Sequence, residues 1–572
     1  MAGHVNMMDD CLISNLPPAI LRSALRLLVS QGATTQQPFV EHIRARFHEN
    51  PPLFEDPERL FPGDDIVSEA CLTYLAQTRC IFSCKLPQGS FPYLRHFVEA
   101  IPRARVRWTK DGELVMLLAK FDGDVVQAVQ ALKESCPEPT PKLLGLINGL
   151  LAGLGNCRQY CEGLHPPLPF PFIRAIRQLY DVLAILFPQY MRAVDAVKQP
   201  ELTLSKKLAE KHSIEIFQLG PFDMPRLFNG LWQLSSPSWG SGTAQSQEAA
   251  LLYAVECGLT ATDMADHYGD AELIYGDFRG KLAPGTRDMV YAATKWCIFS
   301  PIPKPIATSF VLDAVRERCR RLGGRVELLQ FHWYDYDDEA YLDILRELVY
   351  ITKSHPELVS AIGLCNFDSE HVEESCKHLI AETGSVGIVS NQVQFSLVDA
   401  RPLQRMTQVC DQYGLKLLTY GSFCGGFLSE RWLHQPAPDV YLESNKLTPS
   451  QRKYFDMILS WGTWGDFQAL LERLSKAAFK HGASLTNVAT RWILQQPAVG
   501  AVIVGTRLGI SDHVDENLKV FELELDDDDM ASINKIALGL SREKMVALFD
   551  RLGDCGNEYR NMHCNSNDLS SI

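Results

Sequence analysis

At 572 residues the chain is too long for one compact domain and calls for two or three. Its 46% hydrophobic and 22% charged content is ordinary for a soluble globular protein. A net charge of −14 excludes broad binding to nucleic acid or to anionic membrane surfaces.

The opening residues, M-A-G-H-V-N-M-M-D-D, are polar and acidic and suit neither a secretory leader nor a transit peptide. Sixteen cysteines in such a chain indicate reduced thiols and a cytoplasmic location. Cys80-x3-Cys84 and Cys157-x3-Cys161 lack zinc-ligand spacing and a completing histidine cluster, so they read as buried thiols. No metal site is expected, and His267 and the scattered histidines lack ligand spacing as well.

Residues 1–205 carry helical periodicity and read as an all-α domain with no legible function. Leu21, Ala24, Leu25 and Leu28 recur at i, i+3, i+4 and i+7, as do Val125, Ala128, Val129 and Leu132. Phe39, Ile43 and Phe47 repeat every fourth residue behind Pro38, a natural first-turn residue. Breaks fall at Pro51-Pro52, over Pro137–Pro141 and over Pro166–Pro171. The most apolar stretch is Leu143–Gly155. It contains Asn148 and is shorter than the ~20 residues needed to span a bilayer, so a buried helix is expected.

A charged segment around Lys206–Lys211 leads into a second rhythm over residues 213–545. I-E-I-F-Q-L, Gly220-Pro221 and M-P-R-L-F read as a hairpin. Eight apolar strands then alternate with amphipathic helices such as Ser246–Glu256, Pro305–Arg321 and Glu339–Ser354. The strands are expected near Phe228–Leu234, Thr260–Ala265, Val290–Trp296, Leu328–Trp333, Ser360–Asn366, Val389–Phe395, Leu417–Phe423 and Ala501–Arg507. Eight strands over roughly 310 residues predict an α/β fold, a (β/α)8 TIM barrel with its site at the C-terminal strand ends. A doubly wound sheet competes, but no G-x-G-x-x-G follows the first strand, and Gly240-Ser-Gly242 lacks the third glycine. Cys424–Asp466 is too long for a simple loop and reads as a lid or substrate wall. Asp526–Asp529 suits the start of a helix. Residues 546–572 read as a polar C-terminal tail.

Asp263, Tyr268, Lys295 and His332 each fall where a strand meets its following loop. An acid, a phenol, an amine and an imidazole are the parts needed to protonate a carbonyl oxygen during hydride transfer. Tyrosine is a poor acid near neutral pH, and a neighbouring ammonium improves it by stabilising the phenolate. Lys295 has that role toward Tyr268, Asp263 holds Lys295 charged, and His332 donates to the carbonyl oxygen or orients it.

From about Phe217 to Leu540 the sequence resembles the aldo-keto reductase superfamily. D-M-A-D-H-Y-G resembles the family's D-T-A-x-x-Y-G, I-G-L-C-N-F its I-G-V-S-N-F, and N-Q-V-Q-F-S-L its N-Q-V-E-Y-S-L. G-L-W-Q-L-S-S-P-S-W-G and the tail G-D-C-G-N-E-Y-R suggest a branch found in plants and fungi. The resemblance implies NADPH as cofactor, with NADH as the alternative, and a small carbonyl substrate. It places Asn366 and Gln392 on the nicotinamide carboxamide and Tyr420 against the ring. Gly505, Thr506 and Arg507 would meet the adenosine phosphates, and Glu516 and Asn517 the adenine. Cys365 stands where the family usually has serine, and His513 where some members carry a second basic residue.

Trp232, Trp296 and Trp333 are the expected substrate-pocket aromatics, implying an apolar or aromatic carbonyl. A competing reading makes the barrel a nucleotide-binding sensor or scaffold subunit. The helical region would then bind a protein partner or mediate self-association.

Overall fold

The computed structural model describes residues 13–135, 137–190, 202, 214–299, 302–442 and 447–559. The charged segment at Lys206–Lys211 and the last residues of the expected tail, 560–572, lie outside them.

The second region is a closed barrel of eight parallel strands. A hairpin, β1 (Ile216–Leu219) and β2 (Phe222–Pro225), precedes it. The barrel strands are β3 (Leu227–Gly230), β4 (Ala261–Asp263), β5 (Tyr291–Cys297), β6 (Val326–His332), β7 (Val359–Cys365), β8 (Ile388–Gln394), β9 (Lys416–Tyr420) and β10 (Val499–Gly505). Each follows its predecessor around the ring, and β10 closes onto β3. All eight expected strands are present, with ends shifted by a few residues.

Alternation along the strands divides the core in two. Inward residues at the barrel floor are small or aliphatic: Ala261, Ala293, Leu328, Ala361, Leu418 and Ala501 pack with Leu219 and Met224 of the hairpin. Outward residues join a much larger shell against the surrounding helices. The hairpin therefore plugs the N-terminal end, leaving the C-terminal ends open.

The region before the barrel is all-helical and has its own core. Phe97 stacks on Phe121 with ring centroids 4.4 Å apart, and Phe172 meets Phe121 edge-on at 5.3 Å. Such pairs contribute about 0.5–1.5 kcal/mol each beyond area burial. The proline runs break the helices as expected: Glu113–Glu134 ends before Pro137, and Pro141–Gly163 ends before Pro166. One expectation is corrected. Pro38 lies inside the helix Ala33–Glu49, because Gly32 supplies the entry turn one helical turn earlier. The apolar stretch from Leu143 lies in Pro141–Gly163, which buries Leu143, Ile147, Leu150 and Leu154 on one face. Among the described residues no helix is long and apolar enough to cross a membrane.

Two segments carry more structure than expected. Cys424–Asp466 contains the helix Pro449–Trp461, opened by a capping box at Thr448 and Gln451. The expected tail begins inside a helix, Glu543–Leu552, and continues as a turn packed on the barrel mouth. There Arg401 holds Asp399 and Glu558 and accepts no bond itself, donating also to the carbonyls of Gly553 and Asp554. Gly556 at φ +75° lies so close that an added Cβ would sit 2.0 Å from the Asn366 carbonyl oxygen.

The helical region docks on the barrel through charges. Arg174 makes a two-pronged pair with Asp270, at 2.8 and 2.7 Å, both side chains buried. Arg177 pairs with Asp277 at 2.9 Å. Asp181 receives Lys133 at 3.1 Å, together with Arg320 and Arg321 from the barrel. Burial opposes ionisation of Asp181, but these three cations outweigh it and hold its carboxyl below the usual range.

Asp122 accepts the backbone N–H groups of Arg174 at 3.3 Å and Ala175 at 2.7 Å. Burial, only partly countered by Arg174 and these N–H groups, pushes its pKa up to about 7. The folded value lies above the usual carboxylate value of 3.8, so protonation of Asp122 favours the fold. Its contribution is full below about pH 4 and fades as the pH rises through about 7. Wild-type stability relative to Asp122→Asn is therefore expected to decline between these values, read as urea midpoints across the pH series. A gap between the two proteins that stays constant over that window overturns the assignment.

Candidate active site

The four expected residues meet at the C-terminal mouth of the barrel, in one cavity of about 1760 Å³. Asp263 ends β4, Lys295 and His332 lie near the ends of β5 and β6, and Tyr268 sits on the loop after β4. Strand pairing sets Lys295 beside Gln330 and Asp263 beside Ala293. Lys295 Nζ donates to Asp263 Oδ2 at 2.6 Å and to the Met264 carbonyl at 2.8 Å. That uses two of its three donors. The ammonium lies 4.9 Å from the Tyr268 ring centroid.

Asp263 also accepts from Gln330 Nε2 and Gln392 Nε2, both at 2.8 Å. A buried carboxylate with a lysine and two amides is hydrogen-bonded on both oxygens without water. Burial works against the Lys295 charge, but Asp263 outweighs it and holds the ammonium above its ordinary pKa. Burial pushes the Tyr268 phenol well above its ordinary value, with Lys295 pulling the other way. The Tyr268 hydroxyl therefore keeps its proton near neutral pH. His267 packs edge-on against Tyr268 at 4.8 Å, and burial pushes the Cys365 thiol up to about 12.

A model of the aldo/keto reductase family matches residues 226–538. The chain belongs to the aldo-keto reductase family. Among its relatives, chloroplastic pyridoxal reductase of Arabidopsis thaliana is 26% identical over 338 residues, covering 56% of this chain and 85% of the relative. Aldo-keto reductase YhdN of Bacillus subtilis is 23% identical over 291 residues, covering 49% and 81%. A solved thermostable aldo-keto reductase, crystallised with epalrestat, is 20% identical with a TM-score of 0.42, covering 56% of this chain and 100% of that one.

This aldo-keto reductase family member gathers the expected nucleotide residues along the same cavity. Asn366, Gln392, Tyr420, Gly505, Thr506, Arg507, Glu516 and Asn517 all line it. Tyr420 Oη donates to Asn366 Oδ1 at 2.8 Å. Arg507 Nε donates to the Trp239 carbonyl at 2.9 Å, aiming the guanidinium along the wall. Gly505 faces Gln233 so closely that a Cβ would meet its amide nitrogen at 2.2 Å. The Ser422 hydroxyl, buried in the wall, has no partner among the described residues, as suits a group that could meet a polar ligand.

The substrate aromatics need a correction. Trp232 lines the cavity, but Trp296 and Trp333 do not. Each directly follows an inward residue, Lys295 or His332, so strand alternation turns it outward. Trp296 packs on Phe310 and Phe331, and Trp333 on Phe331 and Tyr334.

Other lining residues escaped the sequence reading. Gln330, which holds Asp263 from behind the lining, was legible as the inward residue two before His332. Tyr559 was marked only as part of the tail G-D-C-G-N-E-Y-R, with no role in the site; Lys453 carried no signal, and neither did Gln130, Lys133, Glu134 and Ile185, through which the helical region walls the cavity. Asp266, His267 and Cys297 bring their ligand atoms within 4.8 Å of one another at the rim. Arg318 is paired with Asp266, and burial first and then Asp266 push the Cys297 thiol well up, so the trio is built around that ion pair.

Proposed function

We propose that the protein reduces an aldehyde or ketone to an alcohol with NADPH, NADH being the weaker donor. The observation that carries this reading is the Asp263–Lys295 pair at 2.6 Å, buried beside Tyr268 in the cavity that also holds His332. The nucleotide, when bound, supplies the hydride. Tyr268 Oη gives its proton to the carbonyl oxygen, and Lys295 stabilises the phenolate that remains. Asp263 keeps Lys295 charged and fixed, and His332 orients the carbonyl by hydrogen bonding. Asn366, Gln392 and Tyr420 would hold the nicotinamide end, and Arg507 the adenosine phosphates. With Trp232 at the mouth, an apolar or aromatic carbonyl is the substrate class.

The sensor reading places the helical region outside the chemistry. Lys133 and Glu134 on the cavity wall favour a part in the site instead. The test is fluorescence titration with NADPH and NADH, followed by nucleotide oxidation with aromatic aldehydes. Tyr268→Phe is expected to keep NADPH binding and to lower turnover by about 10²–10⁴-fold. Equal turnover by the two proteins sinks the assignment of Tyr268, and binding without turnover by wild type favours the sensor.

A further inference from the structure

Several cations of the cavity wall are tied to carboxylates, and Lys453 is not among them. Lys295 pairs with Asp263, Arg318 with Asp266, Lys133 with Asp181, and Arg321 with Asp181 and Glu272. Lys453, on the second turn of the helix Pro449–Trp461, has no carboxylate partner among the described residues. Glu558, the acid beside its neighbour Tyr559, pairs with Arg401 and reaches Lys453 only as a nearby charge.

The Lys453 ammonium sits in an aromatic cage. It lies 4.9 Å from the ring centroid of Tyr559, 5.2 Å from Tyr454, 5.6 Å from Tyr420 and 5.9 Å from Trp232. It donates to Tyr559 Oη. Aromatic faces attract a cation, but they do not replace a counter-ion for this half-buried ammonium. Among the described residues one of its three donors is used, and two remain for a ligand.

The cage stands beside the chemistry. Tyr559 Oη is 3.0 Å from Tyr420 Oη, which in turn bonds Asn366. The Tyr559 ring meets the His332 ring edge-on at 6.5 Å. The cavity that runs past the tetrad is open to Lys453.

We propose that Lys453 is an oxyanion-receiving cation, binding a carboxylate or phosphate that a reactant carries into the cleft. Two reactants could bring it: a carbonyl substrate with an acid group, or the dinucleotide through its phosphates. The inference rests on the reductase reading. It makes Lys453 a specificity residue that no tetrad motif encodes, with Tyr559 closing the cage from the C-terminal turn.

The test uses the full chain as wild type, Lys453→Met and Lys453→Arg, with melting temperatures confirming that each folds. kcat/KM is measured for 4-carboxybenzaldehyde and for neutral 4-methylbenzaldehyde, together with NADPH affinity by fluorescence. If the acid group is the ligand, wild type favours the carboxylated aldehyde. Lys453→Met lowers the ratio of the two kcat/KM values by about ten-fold, and Lys453→Arg restores most of it. If the dinucleotide is the ligand, the ratio holds while NADPH affinity falls about ten-fold in Lys453→Met. An unmoved ratio with unmoved NADPH affinity overturns the proposal and leaves Lys453 as packing for the aromatic cage. Should wild type reduce neither aldehyde, the reductase reading fails separately. Calorimetric binding of benzoate and of NADPH then decides the Lys453 inference: weaker binding of either by Lys453→Met sustains it, and equal binding of both ends it.

Discussion

Replacing Arg174 with alanine is expected to cost about 3–5 kcal/mol, because it leaves the Asp270 carboxylate buried without its partner. The guanidinium meets both Asp270 oxygens, and the two side chains are 4% and 0% exposed, so water cannot take its place without opening the interface. The consequence should reach the chemistry. Asp270 lies two residues after Tyr268, at the entrance of the helix Ala271–Lys281. Releasing it loosens the loop that presents the phenol. The expected outcome is a lower melting temperature, or a separate early transition of the helical region, together with reduced turnover. Arg174→Met with Asp270→Leu removes both charges and should recover much of the stability, since a buried pair replaced by apolar groups is often neutral. An Arg174→Ala protein that melts like wild type in one transition would falsify this account of the interface.

Lys295→Met is expected to lower turnover by about 10²–10⁴-fold on the reductase reading. The ammonium is the cation beside Tyr268, and without it burial, with the Asp263 charge adding to it, disfavours the phenolate left after proton transfer. The same change strands Asp263, whose remaining partners are the neutral amides of Gln330 and Gln392. A melting temperature well below wild type should therefore accompany the lost activity. Asp263→Asn in the Lys295→Met background separates the two effects, because it removes the stranded charge but returns no cation to Tyr268. Stability should recover and turnover should not. Recovery of both would assign Lys295 a purely structural role.

The barrel was legible because its signals are local. Strands such as Val326–His332 and Val359–Cys365 are apolar runs bounded by polar turns, and the helices between them keep one apolar face. The meeting of Asp263, Tyr268, Lys295 and His332 at the mouth was legible for the same reason, since each lies near a strand end that the chain itself marks. Trp296 and Trp333 were misplaced because adjacency in sequence was taken for adjacency in the site, whereas a strand turns neighbouring side chains to opposite faces. The helix after Cys424 and the turn at Gly556 were missed because their positions depend on the mouth they cover.

The sequence by itself determined the barrel, the placing of Asp263, Tyr268, Lys295 and His332 at its mouth, and the helical nature of the first region. Those follow from hydrophobic period, strand-end residues and proline breaks, all set by near neighbours along the chain. Only the tertiary structure decided that the helical region walls the cavity through Lys133 and Glu134 and clamps Asp270 through Arg174. It alone brought Lys453, Tyr420 and Tyr559 together as well. Arg174 and Asp270 are separated by 96 residues, and Lys453 and Tyr559 by 106. An arginine among many, or a lysine on one amphipathic helix, has no local mark of its partner. Pairing over such distances is fixed by which surfaces the packed cores leave to meet, and by the cost of burying a charge that finds no counterpart.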